Sequence, residues 1–175
     1  MRIVSGDLRG RRLVAPPATT TRPTTDKTRE AVFNALASLD VIVGARVVDL
    51  YAGSGALGIE ALSRGAASCT FVERDRTAVR AIDENIAALG LRDRSRVIVA
   101  DGIVTAPKLP ADVLFADPPY DFDDWPRLLR AVNAELVVAE AGAALEAPAG
   151  WELGRVKRYG RTWVTFLHRD DPALP

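Results

Sequence analysis

A strand that empties into glycines and runs straight on into a helix constrains this chain most. The segment is Val47-Val48-Asp49-Leu50-Tyr51-Ala52-Gly53-Ser54-Gly55-Ala56-Leu57-Gly58-Ile59-Glu60-Ala61. Arg46–Leu50 reads as a short buried strand, and Ala56–Ser63 as a helix of small and apolar residues. Gly53, Gly55 and Gly58 fit the pattern G-x-G-x-x-G. Glycines there let the chain turn tightly and let a ligand approach the backbone. Asp49, Tyr51, Gly53, Ser54 and Gly55 are therefore candidate cofactor-binding positions. Several nucleotide cofactors use this spacing, so alone it does not choose among them.

The elements that follow extend the same logic. Cys69–Glu73 reads as the next strand and ends in an acid, which can grip both hydroxyls of a ribose. Arg74 follows it, placed to flank an adenine. A helix is predicted over Thr77–Leu89, with Val79, Ile82, Ile86 and Leu89 on one face and Gly90 as the stop signal. A third strand, Arg96–Ala100, ends at Asp101-Gly102. Asp101 can accept from an adenine amino group, or it can be an ordinary turn acid before glycine.

The apolar run Val113-Leu114-Phe115-Ala116 ends in Asp117-Pro118-Pro119-Tyr120. Two prolines cannot continue a sheet ladder, because neither has an N–H. They form a stiff ledge carrying a carboxylate, carbonyls without competing donors, and a flat ring. That set suits a planar amino group: Asp117 and the Pro118 carbonyl can each accept one N–H, and Tyr120 can stack on the attached base. The motif resembles that of S-adenosylmethionine-dependent enzymes that methylate exocyclic amino nitrogens. A dinucleotide enzyme would need a second region for nicotinamide and substrate, for which this chain is short. Four strand ends then present Gly53 and Gly55, Glu73, Asp101, and Asp117 to one crevice.

At 175 residues the chain is one domain with a small extension, and 48% apolar content supports a substantial core. The formal net charge of zero hides an asymmetry. Residues 1–30 hold seven Lys/Arg against three acids, and the remainder sixteen against twenty. A basic end on a mildly acidic body points to a polyanion contact, with Arg9, Arg11 and Arg12 as candidates. The alternation in Arg2-Ile3-Val4 and Arg12-Leu13-Val14 predicts a small β-hairpin around Leu8-Arg9-Gly10. Single residues, Cys69 and His168, cannot form an intrachain disulfide or a cysteine- or histidine-rich metal cluster, and no metal is expected. The first residues lack a signal-peptide pattern and no apolar run is long enough to span a bilayer, so a cytoplasmic location is expected.

Pro16–Thr25 reads as a polar connector, followed by a helix over Asp26–Ser38 with Thr25 as N-cap and Val32, Phe33, Leu36 and Leu39 apolar. Trp125–Val138 reads as another helix, with Leu128, Leu129, Val132 and Leu136 inward. Ala143-Ala144-Leu145 is expected as a short fifth strand. Trp151–Arg158 and Arg161–His168 alternate around Tyr159-Gly160, a hairpin signal. The expectation is an α/β, Rossmann-like, seven-stranded, mostly parallel sheet with helices on both faces, plus the N-terminal hairpin. Residues 1–25 would form the basic extension and 26–175 the methyltransferase domain.

A closer resemblance rests on Met1-Arg2-Ile3-Val4-Ser5-Gly6, Arg9-Gly10-Arg11-Arg12-Leu13, Arg22-Pro23-Thr24-Thr25-Asp26, Arg29-Glu30, Phe33-Asn34, the Asp49–Ala61 loop, Ser63-Arg64-Gly65-Ala66 and Asp117–Tyr120. Together these resemble the bacterial 16S ribosomal RNA guanine-N2 methyltransferases of the small-subunit methyltransferase D family. The likeness covers nearly the whole chain, while residues 139–149 are alanine-rich and carry no signature. It implies a monomer that methylates one guanine of 16S rRNA in an assembling 30S subunit, with S-adenosylmethionine as donor and no metal. In that setting Gly102 joins the cofactor positions, Asp117, Pro118 and Tyr120 are catalytic, and Arg22, Thr24 and Arg29 line the entrance near the methionine end or the RNA phosphate. Arg29 can equally be an exposed helix charge. The residues alone do not separate guanine from adenine or cytosine. They leave open adenine in DNA or RNA, a protein amide, or a non-catalytic RNA-binding module.

Overall fold

The structure, a computed structural model, describes residues 1–16 and 26–170. Its helices are α1 (Asp26–Ser38), α2 (Ala56–Ser63), α3 (Arg76–Leu89), α4 (Gly102–Thr105) and α5 (Trp125–Ala131). Its strands are β1 (Arg46–Leu50), β2 (Ser68–Glu73), β3 (Ser95–Val99), β4 (Ala111–Ala116), β5 (Ala134–Ala141), β6 (Trp151–Tyr159) and β7 (Thr162–Arg169). The strands form one sheet in the order β3-β2-β1-β4-β5-β7-β6. The first five pair in parallel, and β7 runs antiparallel to both of its neighbours. Strand order reverses between β1 and β4, which opens a crevice at their carboxyl ends.

Side-chain alternation divides the core into two layers. Val47, Phe71, Val113, Phe115, Val138 and Phe166 face one side, with Phe33, Leu36, Ile59 and Ile82 from α1, α2 and α3. Val48, Val72, Leu114, Ala116, Val137, Ala139 and Leu167 face the other, with Leu128 and Leu129 from α5. Gly58 makes the close approach of α2 to the sheet possible. A Cβ there would lie 2.4 Å from Phe71 Cε1 and 2.5 Å from Cys69 Sγ. Helix α3 starts one residue before the expected Thr77, because the Asp75 side chain accepts from the Thr77 and Ala78 amides and caps it.

Three expectations need correction. The helix expected over Trp125–Val138 ends at Ala131, and its second half is β5. Ala143-Ala144-Leu145 is consequently loop, and the fifth strand is Ala134–Ala141. The N-terminal hairpin reduces to an isolated antiparallel bridge between Arg2 and Arg12, with Ile3 N–H donating to the Arg11 carbonyl and Gly10 N–H to the Ile3 carbonyl. The Thr25 cap and most of the connector lie outside the described residues.

This N-terminal arm is docked. The Glu60 carboxylate on α2 accepts from the Val4 amide at 2.8 Å and the Ser5 amide at 3.0 Å. Ser63 Oγ donates to the Ser5 carbonyl and accepts from the Leu8 amide. Asn85 on α3 accepts from the Val14 amide and donates to the carbonyls of Val14 and Ser54, joining arm and glycine loop. Among the described residues no helix is long and apolar enough to cross a membrane.

Candidate active site

The turn after β1 takes three residues through left-handed backbone: Tyr51 (φ 61), Gly53 (φ 57) and Gly55 (φ 76). Only glycine adopts this region without penalty, so Tyr51 is held there by its packing. Its ring lies against Gly102, where a Cβ would come within 2.8 Å, and 5.8 Å from the Phe122 ring. Burial, helped by the Asp101 charge, pushes the Tyr51 hydroxyl up to about 12, so it stays protonated.

Asp49 sits under the loop, 1% exposed, and accepts the Gly58 amide at 2.9 Å. Its carboxyl tethers the start of α2. Burial raises its pKa to about 8, the Gly58 N–H opposes this, and the charges of Asp117 and Glu73 add to the rise. Those two acids thus converge on Asp49 from β4 and β2.

Glu73 is oriented by backbone. Its Oε2 accepts the Gly53 amide at 2.9 Å, and its Oε1 accepts those of Arg74 and Asp75, each at 2.8 Å. A carboxylate has about four acceptor sites, so one is left for a ribose hydroxyl. Asp101 caps α4 through the Ile103 and Val104 amides and lies 4.0 Å from Arg74 in an exposed ion pair. Asp101 is thus a capping acid, with its second oxygen turned to Arg74 at the crevice. Space beside Gly53 is open: a Cβ built there meets nothing within 4 Å. An oriented acid beside an unobstructed glycine turn fits the ribose and methionine part of S-adenosylmethionine.

The Asp117–Tyr120 ledge lines a separate cavity of about 340 Å³. Its walls include Lys27 and Thr28 from α1, Glu140 from β5, and Tyr159, Arg161 and Thr162 around the β6–β7 turn. The Tyr120 hydroxyl hydrogen-bonds Thr162 Oγ1 at 2.9 Å while the residue as a whole stays 58% exposed. The Phe122 amide donates to the Pro119 carbonyl at 2.9 Å, which closes the turn of the ledge. Phe122 meets Trp125 edge-on, with ring centroids 5.2 Å apart. Gly53, Glu73 and Asp101 lie outside this cavity, on the β1–β3 side of the crevice.

The wall residues from α1, β5 and the β6–β7 turn were not legible as site residues. Lys27 and Thr28 read as helix, Glu140 fell in the alanine-rich 139–149 stretch without a signature, and the hairpin turn read as hairpin alone. The sheet order brings them together.

Arg29 is corrected too. It is fully buried and bonded to Asp26 at 2.9 Å and to the Arg2 carbonyl, with Glu60 at 3.5 Å. It ties α1 to the arm and to α2. Arg9, Arg11 and Arg12 are exposed, Arg11 donating to the Ala88 carbonyl at 3.1 Å. Arg22 and Thr24 lie outside the described residues. Among the described residues no group of three or more His, Cys, Asp or Glu could hold a metal ion.

The family described as "Conserved hypothetical protein 95" matches residues 1–168. YlbH of Bacillus subtilis (strain 168), named as an rRNA methyltransferase, is 40% identical over 184 residues, spanning 97% of this chain and 99% of its own length. Ribosomal RNA small subunit methyltransferase D of Escherichia coli (strain K12) is 35% identical over 182 residues, 97% of this chain and 90% of its own. The solved structure of the methyltransferase yhhF from Escherichia coli superposes with a TM-score of 0.84 at 35% identity, covering 97% of this chain and 98% of that one. With full-length relatives at this identity and a matching fold, the chain belongs to the small-subunit ribosomal RNA methyltransferase D family.

Proposed function

We propose that this protein methylates the exocyclic N2 amino group of one guanine in 16S rRNA, within an assembling small subunit. The observation that carries the reading is the cavity around Asp117–Tyr120, beside the glycine turn at the switch point of the sheet. The family's named rRNA methyltransferases support the choice of substrate. S-adenosylmethionine supplies an electrophilic sulfonium methyl when bound.

The residues perform three tasks. The Gly53–Glu73 pair and the capped Asp101 hold the nucleoside end. Tyr120 stacks on a base that must first leave its helix. Asp117 and the Pro118 carbonyl accept the two amino hydrogens, which localises a lone pair otherwise conjugated into the ring and aims it. Such positioning supplies a large share of a barrier reduction. With the donor held by Gly53, Glu73 and Asp101, the lone pair that Asp117 and the Pro118 carbonyl orient would point in line at the sulfonium methyl, with sulfur as the leaving group. The alkylated nitrogen is cationic and acidic, and Asp117 takes its proton.

The N-terminal segment acts as the RNA-facing extension, with Arg9, Arg11 and Arg12 on phosphates and Arg22 and Thr24 also serving RNA binding. Labelled methyl donor offered with rRNA, DNA and protein tests the substrate class. Mass spectrometry of small-subunit rRNA from cells lacking the protein tests the base: a full complement of N2-methylguanine would end this proposal.

A further inference from the structure

We infer that Glu140 is the residue that selects guanine, by accepting the N1–H of the base whose amino group Asp117 holds. This rests on the reading of the cavity as the target-base site.

The argument starts from register. Strands β4 and β5 run parallel, with Ala116 opposite Ala139 as their last pair. Asp117 and Glu140 are the next residue on each strand, and neighbouring strands lie about 4.8 Å apart. Alternation places both on one face. Phe115 and Val138 belong to one core layer, and Ala116 and Ala139 to the other. Asp117 and Glu140 therefore point to the Phe115 side, and both line the cavity. Glu140 is only 5% exposed and is part of the cavity wall. The rim of the same cavity carries Lys27 and Arg161, both exposed. An acidic floor under a cationic rim fits a molecule with a donor edge at one end and phosphates at the other.

The chemistry then discriminates among bases. Ionised carboxylates only accept. Guanine presents a run of N–H groups, N1–H beside the N2 amino group, to a floor of two carboxylates and a carbonyl. Adenine and cytosine present a bare ring nitrogen next to their amino group. Beside Glu140 that lone pair would face another acceptor in a buried place, where the repulsion and the lost solvation both cost binding. The carboxylate of Glu140 thus separates guanine from the other amino bases, a distinction the Asp117–Tyr120 motif cannot make.

The test replaces the target guanine, mapped by mass spectrometry, with 2-aminopurine in small-subunit rRNA joined by splinted ligation. 2-Aminopurine keeps the N2 amino group and has a lone pair at N1. The wild-type protein should methylate guanine roughly ten- to a hundredfold better by kcat/KM, the loss expected for a hydrogen bond to a charged group. In Glu140→Gln, the amide can turn its NH2 to a bare N1, so the preference should shrink several-fold. S-adenosylmethionine affinity, read by calorimetry, should hold and would show that the variant folds. Equal rates of the wild type on both bases would overturn the inference without any variant. So would an unchanged preference in folded Glu140→Gln. Failure of the underlying reading looks different: Asp117→Ala would then methylate guanine at a near-normal rate.

Discussion

The Gly53 amide donates to Glu73 Oε2 at 2.9 Å, so the glycine turn after β1 and the acid ending β2 are one hydrogen-bonded unit. Glu73→Ala removes the ribose acceptor and the brace of the turn together. Loss of hydrogen bonds to a charged group costs about 1.5–3 kcal/mol, so S-adenosylmethionine affinity should fall roughly ten- to a hundredfold. Unchanged affinity by calorimetry would take Glu73 out of the site.

Asp49 makes stability depend on pH in an unusual sense. Its folded pKa, about 8, stands above the ordinary carboxylate value. The folded chain therefore keeps a proton that the unfolded chain sheds above about pH 4. The stabilisation from this proton is full below about pH 4, declines as pH rises, and is gone above about pH 8. Asp49→Asn retains an oxygen for the Gly58 amide and cannot ionise. Urea midpoints should fall less between about pH 5 and pH 9 in the variant than in the wild type, and equal slopes would refute this account.

The exposed arginines of the arm predict a salt effect. Replacing Arg9, Arg11 and Arg12 with alanine should weaken RNA binding. The slope of log affinity against log salt should drop by about 0.7 for each phosphate the arm no longer neutralises. Cofactor affinity should stay the same. An unaltered slope would assign the segment another purpose.

Docking of the arm can be broken at one atom. Gly6 has φ +82, and a Cβ there would lie 1.9 Å from the Ser63 carbonyl oxygen. Both atoms are backbone-fixed, so Gly6→Ala should displace the arm from α2 while the sheet stays folded. Hydrogen exchange should speed up at the Val4 and Leu8 amides and leave β1 and β4 protected. Continued protection of both amides would count against this docking.

At the ledge, Asp117→Ala should cripple methyl transfer and leave cofactor binding intact. Tyr120→Ala should lose a stacking surface of about 1–3 kcal/mol per base. Tyr120→Phe keeps the ring and gives up an exposed bond to Thr162 of about 1 kcal/mol, so its rate should drop by no more than several-fold. A Phe variant as poor as the Ala variant would show that the hydroxyl, and not the stacking face, matters.

Local patterns made the strand ends along the crevice readable. A strand ending in Gly53-Ser54-Gly55, an acid closing Cys69–Glu73, and Asp101-Gly102 after the third strand each carry their purpose in a few adjacent residues. The observed boundaries of β1, α1 and α2 match those read from the sequence, because the apolar run and glycine turn bracket β1 and α2, and the stripe of Val32, Phe33 and Leu36 marks α1. The Asp117–Tyr120 ledge was legible for the same reason, since prolines cannot be sheet whatever surrounds them.

The tertiary structure alone decided three things. Residues 134–141 are strand because β4 and β7 pair with them on both sides. A strand buried on both faces is a continuous apolar run, and Leu128, Leu129, Val132 and Leu136 fit a helix equally well. Arg29 is a buried tie because Glu60 and the Arg2 carbonyl converge on it from elements far away in sequence, and no local spacing encodes that. The cavity unites residues from 27 to 162, and Glu140 lines it together with Asp117 only because β5 lies beside β4. Sequence determines which side chains each strand end carries. Which strand ends are neighbours is a property of the sheet order, set by long-range burial that no local segment contains.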